Sequence, residues 1–251
     1  MLRGALVLAA VMASGAAAAG GPVASPVVPA DLAGPVPDLA AVCSGEERAA
    51  GCTGESPFER GRTRYKGLRA PWREVVLYAG ERTDRVGYAE CRIAVRLADG
   101  WWSGPLAESC QSYGETGGAP HFFSRVRSVR VSQLVPGGSR ELLVRIERER
   151  SERGEAPDGG GGRGVEFQRE ELFVVCGIGG DAVPRCTPAI TTRYSGWVDW
   201  ERGRETMDRW RLAVDWRGGL RIRYRGRGGP GEEAAALLGV HALSFDGEEE
   251  Q

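Results

Sequence analysis

The stretch WRLAVDWRGGLRIRY, Trp210 to Tyr224, decides the fold class. Trp210, Leu212, Val214 and Trp216 alternate with polar or small residues. Leu220, Ile222 and Tyr224 do the same after Arg217-Gly218-Gly219. Period-two alternation marks half-buried strands, and glycines between two such runs mark a hairpin. A two-residue loop would put the two apolar sets on opposite faces. A three-residue loop, with glycine in the left-handed position of a bulged turn, pairs Trp216 with Leu220, Val214 with Ile222 and Leu212 with Tyr224. On the other face this register sets Arg211 opposite Arg225, Arg209 opposite Arg227, Ala213 opposite Arg223 and Asp215 opposite Arg221.

Working outward, hairpin signals recur. Trp72 to Ala79 (WREVVLYA) reads as a buried strand. Cys91, Ile93, Val95 and Leu97 alternate, Asp99-Gly100 supplies a type I′ turn, and Trp101-Trp102 begins the return. Val129 and Val131 precede the four-residue loop Pro136-Gly137-Gly138-Ser139, which pairs Val131 with Val144 and Val129 with Ile146. Arg148 to Gly164 (RERSERGEAPDGGGGRG) carries no apolar residues to bury except Ala156, and is expected to be a mobile loop. Val165 to Gly177 returns to the sheet. Helix is scarce: Glu232 to Leu238 is cut to two turns by Gly239. The expected fold is all-β, an antiparallel β-sandwich or irregular barrel built from hairpins, spanning 71–246.

The flanks read differently. Met1-Leu2-Arg3, an apolar run over Gly4 to Ala13 and the small residues Ser14 to Gly20 form a secretory signal peptide, residues 1–19. Residues 20–42 are rich in Pro and Ala and read as an extended linker. A polar, disulfide-stapled segment follows at 43–70, and 247–251 is an acidic tail. Nothing beyond the leader approaches the ~20 apolar residues of a membrane helix, so no transmembrane segment is expected in the mature chain. The expected address is secreted or periplasmic.

Export changes the meaning of the six cysteines, because thiols outside the cytosol usually end as disulfides. Spacing favours three sequential pairs: Cys43 with Cys52, Cys91 with Cys110, and Cys176 with Cys186. A metal site is not expected, since no C-x-x-C pair exists and His121 and His241 are the only imidazoles. No cofactor is implied.

A formal net charge of −1 over 251 residues argues against a nucleic-acid partner drawn by overall charge. The catalytic signatures G-x-S-x-G, H-E-x-x-H and G-x-x-x-x-G-K-[ST] are absent from the sequence. His121 and His241 read as structural. The arginine pairs on the last hairpin need an explanation, because like charges directly across a ladder destabilise it. Acidic residues such as Asp199, Glu201 or Glu248 to Glu250 would neutralise them. Alternatively Arg209, Arg211, Arg223, Arg225 and Arg227 form an anion-binding face, since guanidinium groups grip carboxylate, sulfate and phosphate with paired hydrogen bonds. The expected function is a non-enzymatic binding module of the cell envelope, with an anionic glycan or membrane headgroup as partner. The competing expectation is a hydrolase using carboxylates or His121.

Overall fold

Two antiparallel sheets carry nearly all the regular structure. The computed structural model describes residues 27–43, 63–81, 88–112, 121–134, 138–155, 163–200, 203–215, 220–226, 235–241 and 243–246. The smaller sheet has the order β2 (Ala33–Val36), β6 (Trp101–Ser112), β5 (Tyr88–Arg96), β4 (Glu74–Glu81), β3 (Arg64–Lys66). The larger begins with β7 (His121–Ser132), β8 (Glu141–Glu155) and β9 (Arg163–Ile178). It continues through β11 (Ile190–Trp200), β12 (Gly203–Asp215), β13 (Leu220–Gly226) and β14 (Gly239–His241). The short β10 (Pro184–Cys186) folds back on the end of β9 and carries β1 (Ala30–Asp31) on its other edge. The all-β expectation holds.

The main core lies between the sheets. Val75, Leu77, Ile93, Val95 and Trp102 from the smaller sheet meet Leu142, Val144, Ile146, Leu172 and Val174 from the larger. Their spacing by two along each strand puts them on one face. The remaining faces are covered locally. Helix α1 (Leu39–Cys43) packs on Val76, Tyr78 and Trp101 behind the smaller sheet. Phe245 packs on Phe173 and Val175 behind the larger. A side chain at Gly177 would put its Cβ 2.2 Å from the Phe245 ring, so this contact requires glycine.

Register shows how far patterning reaches. The last hairpin has Val214 opposite Ile222, Leu212 opposite Tyr224, Arg211 opposite Arg225, Ala213 opposite Arg223 and Asp215 opposite Arg221, as expected. Trp216 and Arg227 lie outside the described residues. In the first hairpin the Leu97 amide donates to the Gly100 carbonyl at 2.9 Å. The two-residue loop is therefore Ala98-Asp99, one position earlier than expected.

Between β7 and β8 the pairing slips by two: Val131 faces Leu142 and Val129 faces Val144. The turn is wider because the buried Glu141 carboxylate accepts the Leu134 amide at 2.6 Å, so pairing ends at Ser132–Glu141. An even slip keeps every side chain on its face, so apolar patterning cannot detect it.

Two larger corrections concern polar sequence. The excursion expected from Arg148 to Gly164 is mostly strand, with unbroken pairing from Leu142–Cys176 to Glu155–Arg163. Charge complementarity replaces apolar burial there. Arg148 pairs with its direct partner Glu170 at 2.6 Å, and Glu149 with Arg169 at 2.7 Å. Such cross-strand pairs each contribute a few tenths to about 1 kcal/mol. The expected linker is also ordered from residue 27: β1 joins the larger sheet, β2 joins the smaller, and Val27 and Leu32 are buried.

Of the expected bridges, Cys176–Cys186 is present and links direct partners on β9 and β10. Cys43 and Cys91 are also disulfide-bonded. Cys52 and the Cys110 side chain lie outside the described residues.

Arg185 clasps three distant parts of the chain. It is buried, donates to Asp31 at 2.6 Å and to both Asp181 oxygens at 3.0 and 2.5 Å, and also reaches the Phe245 carbonyl. The Arg185 hydrogen bonds hold the Asp181 carboxyl down at about 2, below its ordinary 3.8. A depressed carboxylate contributes stability above its unfolded value, and that contribution is lost as pH falls through the folded one. Urea midpoints should therefore fall between pH 4 and pH 2, and Asp181→Asn should flatten that part of the profile. An unchanged acid limb in the variant would contradict this.

Candidate functional site

The outer face of the larger sheet carries a row of charged residues running across six strands. Successive cross-strand partners are Arg125, Glu147, Glu171, Arg193, Arg211 and Arg225. One half of the row is neutralised. Glu147 takes both Arg125 and Arg127, and Glu171 takes Arg145 at 3.5 Å. The other half is three arginines side by side on β11, β12 and β13. Among the described residues Arg193, Arg211 and Arg225 have no ion-pair partner, and all three are exposed.

Arg193 owes its place to an irregularity. The β11–β9 register shifts between Thr191 and Arg193, so Arg193, instead of Thr192, faces Glu171. Bulges re-aim side chains in this way. Thr192 turns in and its hydroxyl donates to the Glu171 carbonyl at 3.0 Å. The cost is two adjacent like-charge contacts, each worth a few tenths to about 1 kcal/mol against the fold.

These side chains surround a cavity of about 260 Å³ lined by Arg145, Arg193, Arg211, Arg225, Glu171 and the Phe173 ring, among others. Arg145 lies over that ring at 5.5 Å, which fixes its guanidinium at the cavity wall. Four cations and one engaged carboxylate thus share one depression on a chain of net charge −1. A neutral acceptor gains less from such a site than an anion, because charge-assisted hydrogen bonds are the stronger ones. An anion can accept paired hydrogen bonds from several guanidiniums at once.

Of the residues expected at an anion face, Arg211 and Arg225 line this cavity together. Arg209 sits two residues before Arg211 on β12, opposite Ser195. Arg223 faces Ala213 and lines a neighbouring groove, while Arg227 lies outside the described residues. Sequence reasoning did not reach Arg145 and Arg193, which come from strands whose register against β12 was not legible.

Of the neutralising residues considered from sequence, Asp199 alone is among the described residues. Asp199 lies on β11 opposite Arg204, six residues beyond Arg193. Glu201 and Glu248 to Glu250 lie outside the described residues.

The chain matches no known protein family, no curated protein and no solved structure. The site must therefore be read from its own chemistry.

Other candidate chemistry is less favoured by geometry. His241 is buried with its Nε2 at 2.9 Å from the Leu237 carbonyl, which makes it a packing residue. The His121 side chain lies outside the described residues. Trp197 is stacked on Phe167 at 5.4 Å, with Arg169 over its ring at 5.7 Å, so its faces serve packing. Among the described residues no group of acidic, His and Cys side chains is arranged to hold a metal ion, and no helix is long and apolar enough to cross a membrane.

Proposed function

We propose that this chain is a secreted or periplasmic, non-enzymatic β module that binds an anionic group at the arginine depression. The partner class is an anionic glycan or a membrane headgroup. One observation carries the reading: Arg193, Arg211 and Arg225 are direct neighbours across three strands, and among the described residues the one carboxylate lining their cavity, Glu171, is engaged by Arg145. A fold that places like charges together at a cost to itself gains when a ligand neutralises them. Leader and disulfide chemistry support the extracytoplasmic address.

The test is retention on heparin and on vesicles containing anionic lipid, compared between the natural chain and the double variant Arg211→Gln, Arg225→Gln. A hydrogen bond to a charged group is worth about 1.5–3 kcal/mol, so each lost guanidinium should weaken binding about tenfold or more. Stability should stay level or rise slightly, because an opposed arginine pair has been removed. Retention equal to that of the natural chain would sink the proposal.

A further inference from the structure

We propose that the ligand of the arginine depression is an anionic amphiphile, whose head sits among Arg193, Arg211 and Arg225 and whose single alkyl chain lies along the β13–β14 edge. This rests on the anion reading of the arginine row and adds a second subsite to it. The edge holds an open groove of about 340 Å³ formed by Ile222, Tyr224, Leu238 and Val240, flanked by Arg221 and Arg223. That volume falls within the roughly 300–1,000 Å³ usual for small-molecule sites. Val240 is 58% exposed, one of two large apolar side chains so exposed among the described residues.

The groove has a local cause. Strand β14 pairs with β13 only from Leu220 to Ile222, ending at Gly239. Gly239 has a φ of 132°, a conformation that side chains resist, and there the ladder stops. The next residues of β13, Arg223 and Tyr224, line the groove.

Position and charge then select the occupant. Arg223 lines the groove, and its ladder partner Ala213 lines the arginine depression. Arg225, on the same face of β13, lies two residues along the strand from Arg223. An anionic head at the Arg225 end satisfies both subsites, whereas a neutral or cationic head would leave or oppose the guanidiniums.

The test is calorimetric titration with an n-alkyl phosphate series, methyl to dodecyl, each below its micelle concentration. Affinity should climb by up to about fourfold for each methylene buried, then level off when the groove is full. Val240→Asn, with Leu238→Ser as a second variant, should flatten this climb while leaving heparin retention unchanged. Arg211→Gln with Arg225→Gln should lower the whole series in parallel. Affinity independent of chain length, with heparin still bound, overturns the amphiphile and leaves the anion reading standing. Failure to bind either alkyl phosphates or heparin overturns both. A climb untouched by both groove variants, or a natural chain that is dimeric and becomes monomeric in Val240→Asn, also overturns the inference, because a different surface or a second copy then accounts for the apolar edge.

Discussion

Replacing Trp72 by alanine is expected to lower the unfolding free energy by about 3–5 kcal/mol, the usual cost of deleting a buried aromatic side chain. Trp72 is fully buried in the core between the sheets. Its indole Nε1 donates at 2.6 Å to the Arg140 carbonyl, in the turn that joins β7 and β8. It precedes β4 of the smaller sheet, so one side chain pins the two sheets together through both packing and polarity. Phenylalanine at 72 should recover most of the apolar contact while losing the hydrogen bond, for a cost nearer 1–2 kcal/mol. Chemical denaturation of the two variants checks the ordering. An alanine variant within about 1 kcal/mol of the natural chain would show that the sheets do not depend on this contact.

Arg185→Met is the second large effect. Breaking a buried ion pair by removing one partner typically costs about 3–5 kcal/mol. Here the cation is buried while Asp31 and Asp181 keep substantial exposure, so both can rehydrate once it is gone. A loss of about 2–3 kcal/mol is expected, below the fully desolvated case. Because Arg185 joins β1, the β9–β10 turn and the Phe245 segment, hydrogen exchange should quicken first at residues 27–32 and 243–246. Loss confined to β10 would mean that the clasp is not shared.

Much of this architecture can be read directly from residues. In the Trp210–Tyr224 hairpin, apolar parity on both sides of a glycine-bearing turn admits one short loop length, so the Arg211–Arg225 pairing followed before any coordinates. The β7–β8 pairing was legible only to within an even slip, since its register is set by the inward turn of Glu141. The Arg148–Gly164 stretch offers almost no apolar area to bury, so apolar patterning reads it as loop. Its strands are held instead by matched charges, Arg148 with Glu170 and Glu149 with Arg169, and each sequence half shows only its own charges. Residues 30–36 looked like linker because Pro and Gly obscure alternation in short edge strands.

The site divides in the same way. Arg211 and Arg225 belong to one hairpin and were found together. Arg193 reaches the row through a bulge at Thr192, and Arg145 through contact with Phe173 on β9. Neither relation has a local signature. Sequence supplied half of a basic cluster, and long-range pairing supplied the other half.

The role proposed for the three adjacent arginines is to be neutralised by a ligand. The most direct measurement is equilibrium titration of a heparin oligosaccharide into the natural chain and into Arg211→Gln, Arg225→Gln, at low and at physiological salt. Binding to the natural chain is expected to weaken as salt rises, with at least about tenfold weaker binding by the variant and a smaller salt dependence for it. Equal affinity and equal salt dependence in the two proteins would contradict that role.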